Sequence, residues 1–179
     1  MATLRVIEEF LNTVDERTFR RHGENHVPGE RLTSPQALEE WLRAQGLAAA
    51  DTRLRATDLD AAVELRTALR RALGADAGAT AALRNYPLHL ALDTSGALLV
   101  TARSGRPWLD AITEEVARST ARGDWTRLKL CAAPDCRWAF YDASRSGRGR
   151  WCDMEICGNR HKTRAYRERR QHPAADRTP

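Results

Sequence analysis

The chain has 179 residues, of which 30% are charged and 6% aromatic, with a formal net charge of +5. That length suits one ordinary domain with a small appended module, and no stretch approaches the roughly 18 apolar residues that a membrane span requires. Residues 1–128 carry 17 Lys and Arg against 18 Asp and Glu, net −1, whereas residues 129–179 carry 12 against 6, net +6. A basic segment joined to a neutral domain points to a polyanionic partner, most often nucleic acid. The bias toward arginine runs through both halves, only Lys129 and Lys162 being lysine, so it is not by itself a mark of phosphate binding.

Val6, Ile7, Phe10, Leu11 and Val14 recur at helical spacing and predict an amphipathic first helix. The polar stretch from His22 to Arg31 predicts a loop. Ser34-Pro35 predicts an N-cap followed by proline at the first helical position, with Leu38, Trp41 and Leu42 buried and Gly46 as the stop. Thr57 is the expected cap of a third helix whose apolar stripe is Leu59, Val63, Leu65, Leu69 and Leu73, ending near Gly74. Ala75 to Asn85 predicts a short fourth helix.

The period then changes. Leu88, Leu90 and Leu92 alternate with His89 and Ala91, a turn follows at Asp93-Thr94-Ser95-Gly96, and the chain returns over Ala97 to Ala102 as a β-hairpin. Helical spacing resumes at Trp108, Ile112 and Val116 and runs to about Arg122-Gly123. The expected fold class is therefore a mainly α N-terminal domain with one β-hairpin, followed by a small zinc-bound β-hairpin and helix.

All four cysteines fall in the last third, as Cys131, Cys136, Cys152 and Cys157, spaced C-x4-C-x15-C-x4-C. Two close pairs separated by a hairpin-sized gap suit one tetrahedral Zn²⁺, each pair supplying two thiolates from one tight loop. Two disulfides are the competing reading. They need an oxidising compartment, and MATLRVIEEF carries charge where a secretory leader needs an apolar run, so a cytoplasmic zinc site is expected. The segment from Lys129 onward holds few apolar side chains and needs the metal to fold. Trp138 to Tyr141 and Arg150-Trp151 are the expected strands of its hairpin, joined by Ser144 to Gly149. Gly158 is expected to let the backbone approach a thiolate, and Asn159 to cap a helix from Arg160.

That helix places Arg160, Arg164, Arg167 and Gln171 on one face, flanked by Lys162, Arg169 and Arg170, with Glu168 as its one acid. A four-thiolate zinc site carries a formal charge of −2, which Arg150 and Arg160 are placed to neutralise. Arg164 and Arg167 lie further from it and favour phosphate contact. Arg160, Lys162, Arg164 and Arg167 are the candidate nucleic-acid contacts. Base stacking on Trp138, Tyr141 and Trp151 would instead suit RNA, and a zinc-shaped protein-interaction module is a further alternative.

The run Cys131…Cys136-x3-Phe140-x-Asp142-x-Ser144-Arg145…Arg150-Trp151-Cys152…Cys157-Gly158-Asn159-Arg160-x-Lys162 resembles the CGNR zinc finger. Leu11-Asn12-Thr13-Val14-Asp15-x-Arg17, the Leu38-x2-Trp41-Leu42 helix, the Leu65-Arg66 helix and the late hairpin resemble the ABATE domain that precedes it. One departure is that a helix stands before Asn12 where a glycine-containing strand is expected. The resemblance implies a stress-induced bacterial transcription regulator with an N-terminal sensor domain and a DNA-binding finger. It divides the chain into 1–128, 129–172 and a polar tail at 173–179.

No Ser-His-acid grouping, phosphate loop or HExxH motif is visible, and four thiolates close the coordination that a catalytic zinc keeps open, so no enzymatic activity is expected. His161 is a possible substitute ligand, though four cysteines suffice. Oxidation of the thiolates would make the site a redox sensor; nothing in the spacing separates that from an inert structural role, which is the commoner one for such sites. Asn12, Thr13 and Arg17, about a turn apart on the first helix, are candidates for a small polar ligand or for hydrogen bonds that hold the adjacent loop.

Overall fold

A computed structural model describes residues 3–21 and 24–171. His22, His172 and the polar tail at 173–179 lie outside the described residues. Helix α1 (Leu4–Leu11) starts where the Thr3 hydroxyl accepts from the Val6 amide, and it buries Val6, Ile7, Phe10 and Leu11. It is shorter than the apolar pattern suggests. Asn12 already caps its C-terminal end, and Val14 belongs to strand β1 (Val14–Asp15). Strand β2 (Arg20–Arg21) pairs with β3 (Glu24–Asn25), and β1 pairs with β4 (Gly29–Glu30). The expected loop is thus laced by two short antiparallel ladders.

Helix α2 (Pro35–Ala44) begins as expected, with Ser34 Oγ accepting from the Ala37 amide and proline in the first turn. Gly46 follows its end at φ +67°, a left-handed conformation that favours glycine. Helix α3 (Ala56–Leu73) does not start at Thr57: the Asp58 carboxylate reaches back to the Arg55 amide at 2.8 Å and closes the first turn. Its buried face is Ala62, Leu65, Ala68 and Leu69, together with two arginines, Arg66 and Arg70. Helix α4 (Ala79–Leu83) is a single turn.

Strands β5 (Leu88–Leu92) and β6 (Leu98–Ala102) form the predicted hairpin, in register from Leu88 with Ala102 to Leu92 with Leu98. It attaches to helix α5 (Pro107–Ala121) through Glu114, which accepts from Thr101 Oγ1 and the Ala102 amide. Leu90 and Leu92 are 71% and 69% exposed. The hairpin hangs at the edge of the fold.

A 3₁₀ turn leads to strand β7 (Leu128–Leu130), which pairs with β8 (Ala139–Tyr141), and helix α6 (Asn159–Gln171) closes the described chain. The main core joins α1, α2, α3 and α5 around Phe10, Leu11, Leu38, Leu42, Leu65, Leu69 and Ile112, and it takes in Leu128 and Ala139 from β7 and β8. A second cluster gathers Cys131, Cys136, Cys157, Ala133 and Phe140 with Phe19 from the N-terminal region. Packing therefore crosses between the helical region and the cysteine-bearing segment in both directions.

Candidate metal centre and its basic helix

Cys131 follows β7, and its amide extends that ladder by donating to the Trp138 carbonyl at 2.8 Å. Five residues on, Cys136 closes a tight turn by donating its amide to Ala133. Cys157 sits in a π-helical turn over 154–158 whose first residues are organised by Asp153. The Asp153 carboxylate accepts from the Ile156 amide at 2.9 Å, and its carbonyl accepts from the Cys157 amide. Asn159 is thus inside a continuous helix, and the cap expected there is supplied six residues earlier. Gly158 meets a different neighbour from the one expected. A Cβ there would overlap the Met154 thioether, not a thiolate.

The four sulfurs lie within 4.8 Å of one another, with Cys136 to Cys152 at 3.6 Å and Cys152 to Cys157 at 3.8 Å. A tetrahedral zinc with Zn–S bonds of about 2.3 Å sets its ligand sulfurs about 3.8 Å apart, so the cage has the size that ion needs. Cys131, Cys136 and Cys157 are nearly or wholly inaccessible. Thiols this close cannot all ionise on their own. Hydrogen bonds from Cys136 and Cys152 pull Cys131 down, and sharing with the Cys131 charge pushes Cys136 and Cys152 up. A divalent cation removes that conflict by taking all four as thiolates. The cluster is the site of one structural zinc.

Arg160 supplies the charge compensation. Its guanidinium donates to Asp135 at 2.5 Å, lies 3.4 Å from Cys157 Sγ and stacks 3.8 Å over the Phe19 ring. Arg150, the other candidate, instead rests on the Trp151 ring, 5.1 Å from its centroid. The expected strand at Arg150-Trp151 does not form. The partner of β8 is β7, and residue 150 contributes one bond, from the Ala132 amide to its carbonyl. The loop between is held by Asp142, whose carboxylate accepts from Lys129 Nζ, the Gly149 amide and the Ser144 amide. Lys129, then Ser144 and Gly149, hold this carboxyl well below the usual range.

Two family models match this chain. Residues 127–170 match the CGNR zinc finger, and residues 4–135 match ABATE, described as "Putative stress-induced transcription regulator". The chain belongs to the ABATE family. No curated protein matches it. Neither matched description is that of an enzyme. Among the described residues no helix is long and apolar enough to cross a membrane.

Within the ABATE region, Asn12, Thr13 and Arg17 are brought near the finger, but not along one helix. Asn12 bonds the Ala139 backbone at both ends of its carboxamide, at 2.8 Å each. Thr13 Oγ1 donates to the Phe10 carbonyl and accepts from Arg66 Nη1. Arg17 lies past β1, paired with Asp15 and stacked 4.0 Å over Trp138. Asp15 also meets His26 at 2.8 Å; burial opposes its charge, but Arg17 and His26 outweigh it and hold the carboxyl well below its ordinary value.

On α6 the structure separates the four basic candidates. Arg160 is engaged with the metal module, Arg164 is 58% exposed and 4.0 Å from Asp135, and Lys162 and Arg167 are exposed. His161 packs against Trp151 at 4.7 Å and stands outside the thiol cluster. The sequence reading missed Arg66 and Arg70 as buried cations. Their spacing of four within the apolar stripe of α3, flanked by Leu65 and Leu69, was the available signal.

Proposed function

We propose that the protein regulates transcription by binding duplex DNA through helix α6, with the ABATE region sensing a signal. The observation that carries this reading is the exposed basic surface of α6, where Arg164 and Arg167 on one face and Lys162 on the opposite one stand beyond the zinc cluster while Arg160 ties the helix to it. Phosphate contact needs cations on a rigid element, and the ion pair of Arg160 with Asp135 provides that rigidity. Arg160 then acts as the anchor, and the other three meet phosphates or base edges. Helix α6 begins directly at the metal turn, so its direction follows from the cage. In this reading the four cysteines ligate the zinc, and the chain is not an enzyme, since four thiolates leave a tetrahedral ion no open position.

Duplex DNA is favoured over single-stranded RNA because two of the three candidate stacking surfaces are already used, Tyr141 being the exposed one. Trp138 is covered by Arg17, and Trp151 by His161 and Arg150. Fluorescence anisotropy on duplex fragments tests the reading. Three phosphate contacts give a plot of log K against log salt with a slope of about −2.7. A slope near zero, or stronger competition by single-stranded RNA than by duplex, overturns it.

A further inference from the structure

A cleft of about 340 Å³ opens where α3 meets the finger, lined by four arginines, Arg66, Arg70, Arg71 and Arg137, against two acids, Glu16 and Asp76. Buried guanidiniums are costly unless compensated, yet Arg66 and Arg70 are 4% and 7% exposed. Arg66 pairs with Glu30 and Thr13 through its two Nη atoms, and its buried Nε has no hydrogen-bond partner among the described residues. Arg70 donates to the Leu11 and Arg137 carbonyls at 2.9 Å each and pairs with Glu16 at 2.9 Å. Burial, opposed by Glu16 and reinforced by Arg137 and Arg66, holds the Arg70 pKa below its ordinary value. Glu16 itself is 45% exposed and also reaches Arg137 at 4.0 Å. One half-exposed carboxylate therefore spans two arginines across the joint, and Arg71 stands exposed at the rim.

We propose that this cleft binds a small oxyanion, a carboxylate- or phosphate-bearing molecule, which takes the place of Glu16 over Arg70 and Arg137 and is held at the rim by Arg71. This rests on the sensing part of the proposed function and gives the sensor a ligand class. Guanidiniums converging on a concave site suit planar or tetrahedral oxyanions through paired N–H donors. The location also supplies a route to the finger. Arg137 directly follows Cys136, has a left-handed φ of 54° without being glycine, and has its carbonyl held by Arg70. A ligand on Arg70 and Arg137 thus acts one residue away from the metal cage.

Isothermal titration of the zinc-loaded full chain, without DNA, with inorganic phosphate and separately with succinate tests the proposal, sodium chloride at matched ionic strength being the baseline. Saturable binding of at least one anion is expected, and which one responds separates a phosphate ligand from a carboxylate one. Arg71→Ala should weaken it about tenfold, the worth of one charge-assisted hydrogen bond. Glu16→Gln removes the internal competitor and should strengthen it several-fold, a gain that misfolding does not produce. Arg53→Ala, on a distant exposed loop, should change neither. No saturable heat with either anion up to about 10 mM, a concentration already covering millimolar affinity, overturns the site. Binding indifferent to either Arg71→Ala or Glu16→Gln also overturns it. Because DNA is absent from the cell, failure here leaves the DNA contact of α6 standing, and loss of that contact leaves this site standing.

Discussion

Asn12 and Ala139, 127 positions apart, exchange two hydrogen bonds of 2.8 Å, one from each end of the Asn12 carboxamide to the strand backbone. The side chain substitutes for a neighbouring strand on the free edge of β8, at the point where β8 enters the main core. Such a pair satisfies one buried N–H and one buried C=O that have no other strand beside them.

Asn12→Ala leaves both backbone groups unsatisfied in a buried place. Each costs about 1–3 kcal/mol, so the variant should lose about 2–6 kcal/mol of stability, read from urea unfolding of the zinc-loaded protein. Asn12→Ser, too short to span both groups, should recover only part of this. A loss under about 0.5 kcal/mol, the size of an ordinary surface change, would show that water replaces the carboxamide.

Removal of zinc should not unfold the whole C-terminal segment at once. β7 and β8 are anchored in the main core by Leu128 and Ala139, whereas the stretch from Cys152 through α6 depends on the cage and on Arg160. Structural zinc contributes about 10–16 kcal/mol of apparent binding free energy in small fingers, and its loss here should fall on residues 150–171. Hydrogen exchange after chelation under reducing conditions should show that segment losing protection first, with 128–130 and 139–141 retained. Equal loss across 128–171 would contradict this division.

What the amino-acid pattern revealed, and what it hid, follows the range of the interactions. The four cysteines, the Ser34-Pro35 start of α2 and the hairpin from Leu88 to Ala102 rest on local spacing, and all three are present. The partner of β8 was hidden because β7 lies before Cys131 and reads as a linker, while Arg150-Trp151 sits at a tempting hairpin distance. Asp153 was hidden as a cap because it acts across a π turn, a shape with no pattern of its own. Arg66 and Arg70 were hidden for a chemical reason: an arginine in an apolar stripe is normally taken as solvent-facing, and it is partners far away in the chain, the carboxylates of Glu30 and Glu16 with the Thr13 hydroxyl and the Leu11 and Arg137 carbonyls, that make their burial tolerable.

The Glu30 pair gives a pH dependence. Burial raises the Glu30 carboxyl, but Arg66 together with the Leu32 and Arg31 amides outweighs it, and the net shift is downward. A depressed carboxylate contributes stability that is present above its unfolded value, about pH 4.3, and that is lost as pH falls through the folded value. Glu30→Gln should cost about 1–3 kcal/mol at pH 7, less than breaking a fully buried pair because Glu30 is 36% exposed. Urea midpoints should show the gap between the two proteins narrowing below about pH 4.3, where Glu30 of the unfolded chain takes up its proton while the folded one is still ionised. A gap that widens in acid would reverse the assigned sign.

Arg160 and Arg167 lie on one helix and should fail in different ways. Arg160 is held between Asp135, Cys157 and the Phe19 ring, so Arg160→Ala removes the anchor that fixes the direction of α6 and leaves its phosphate contacts in number unchanged. DNA affinity should fall and zinc should pass to a competing chelator faster, with little change in the salt dependence. Asp135→Ala, which breaks the same ion pair from the other side, should do likewise. Arg167 is exposed and well beyond the cage. Arg167→Ala should leave zinc retention untouched and make the plot of log K against log salt shallower by about 0.9, one released counterion. If Arg160→Ala instead reduced the slope by that amount while zinc stayed in place, Arg160 would be a phosphate contact and the anchoring role would fall to another group.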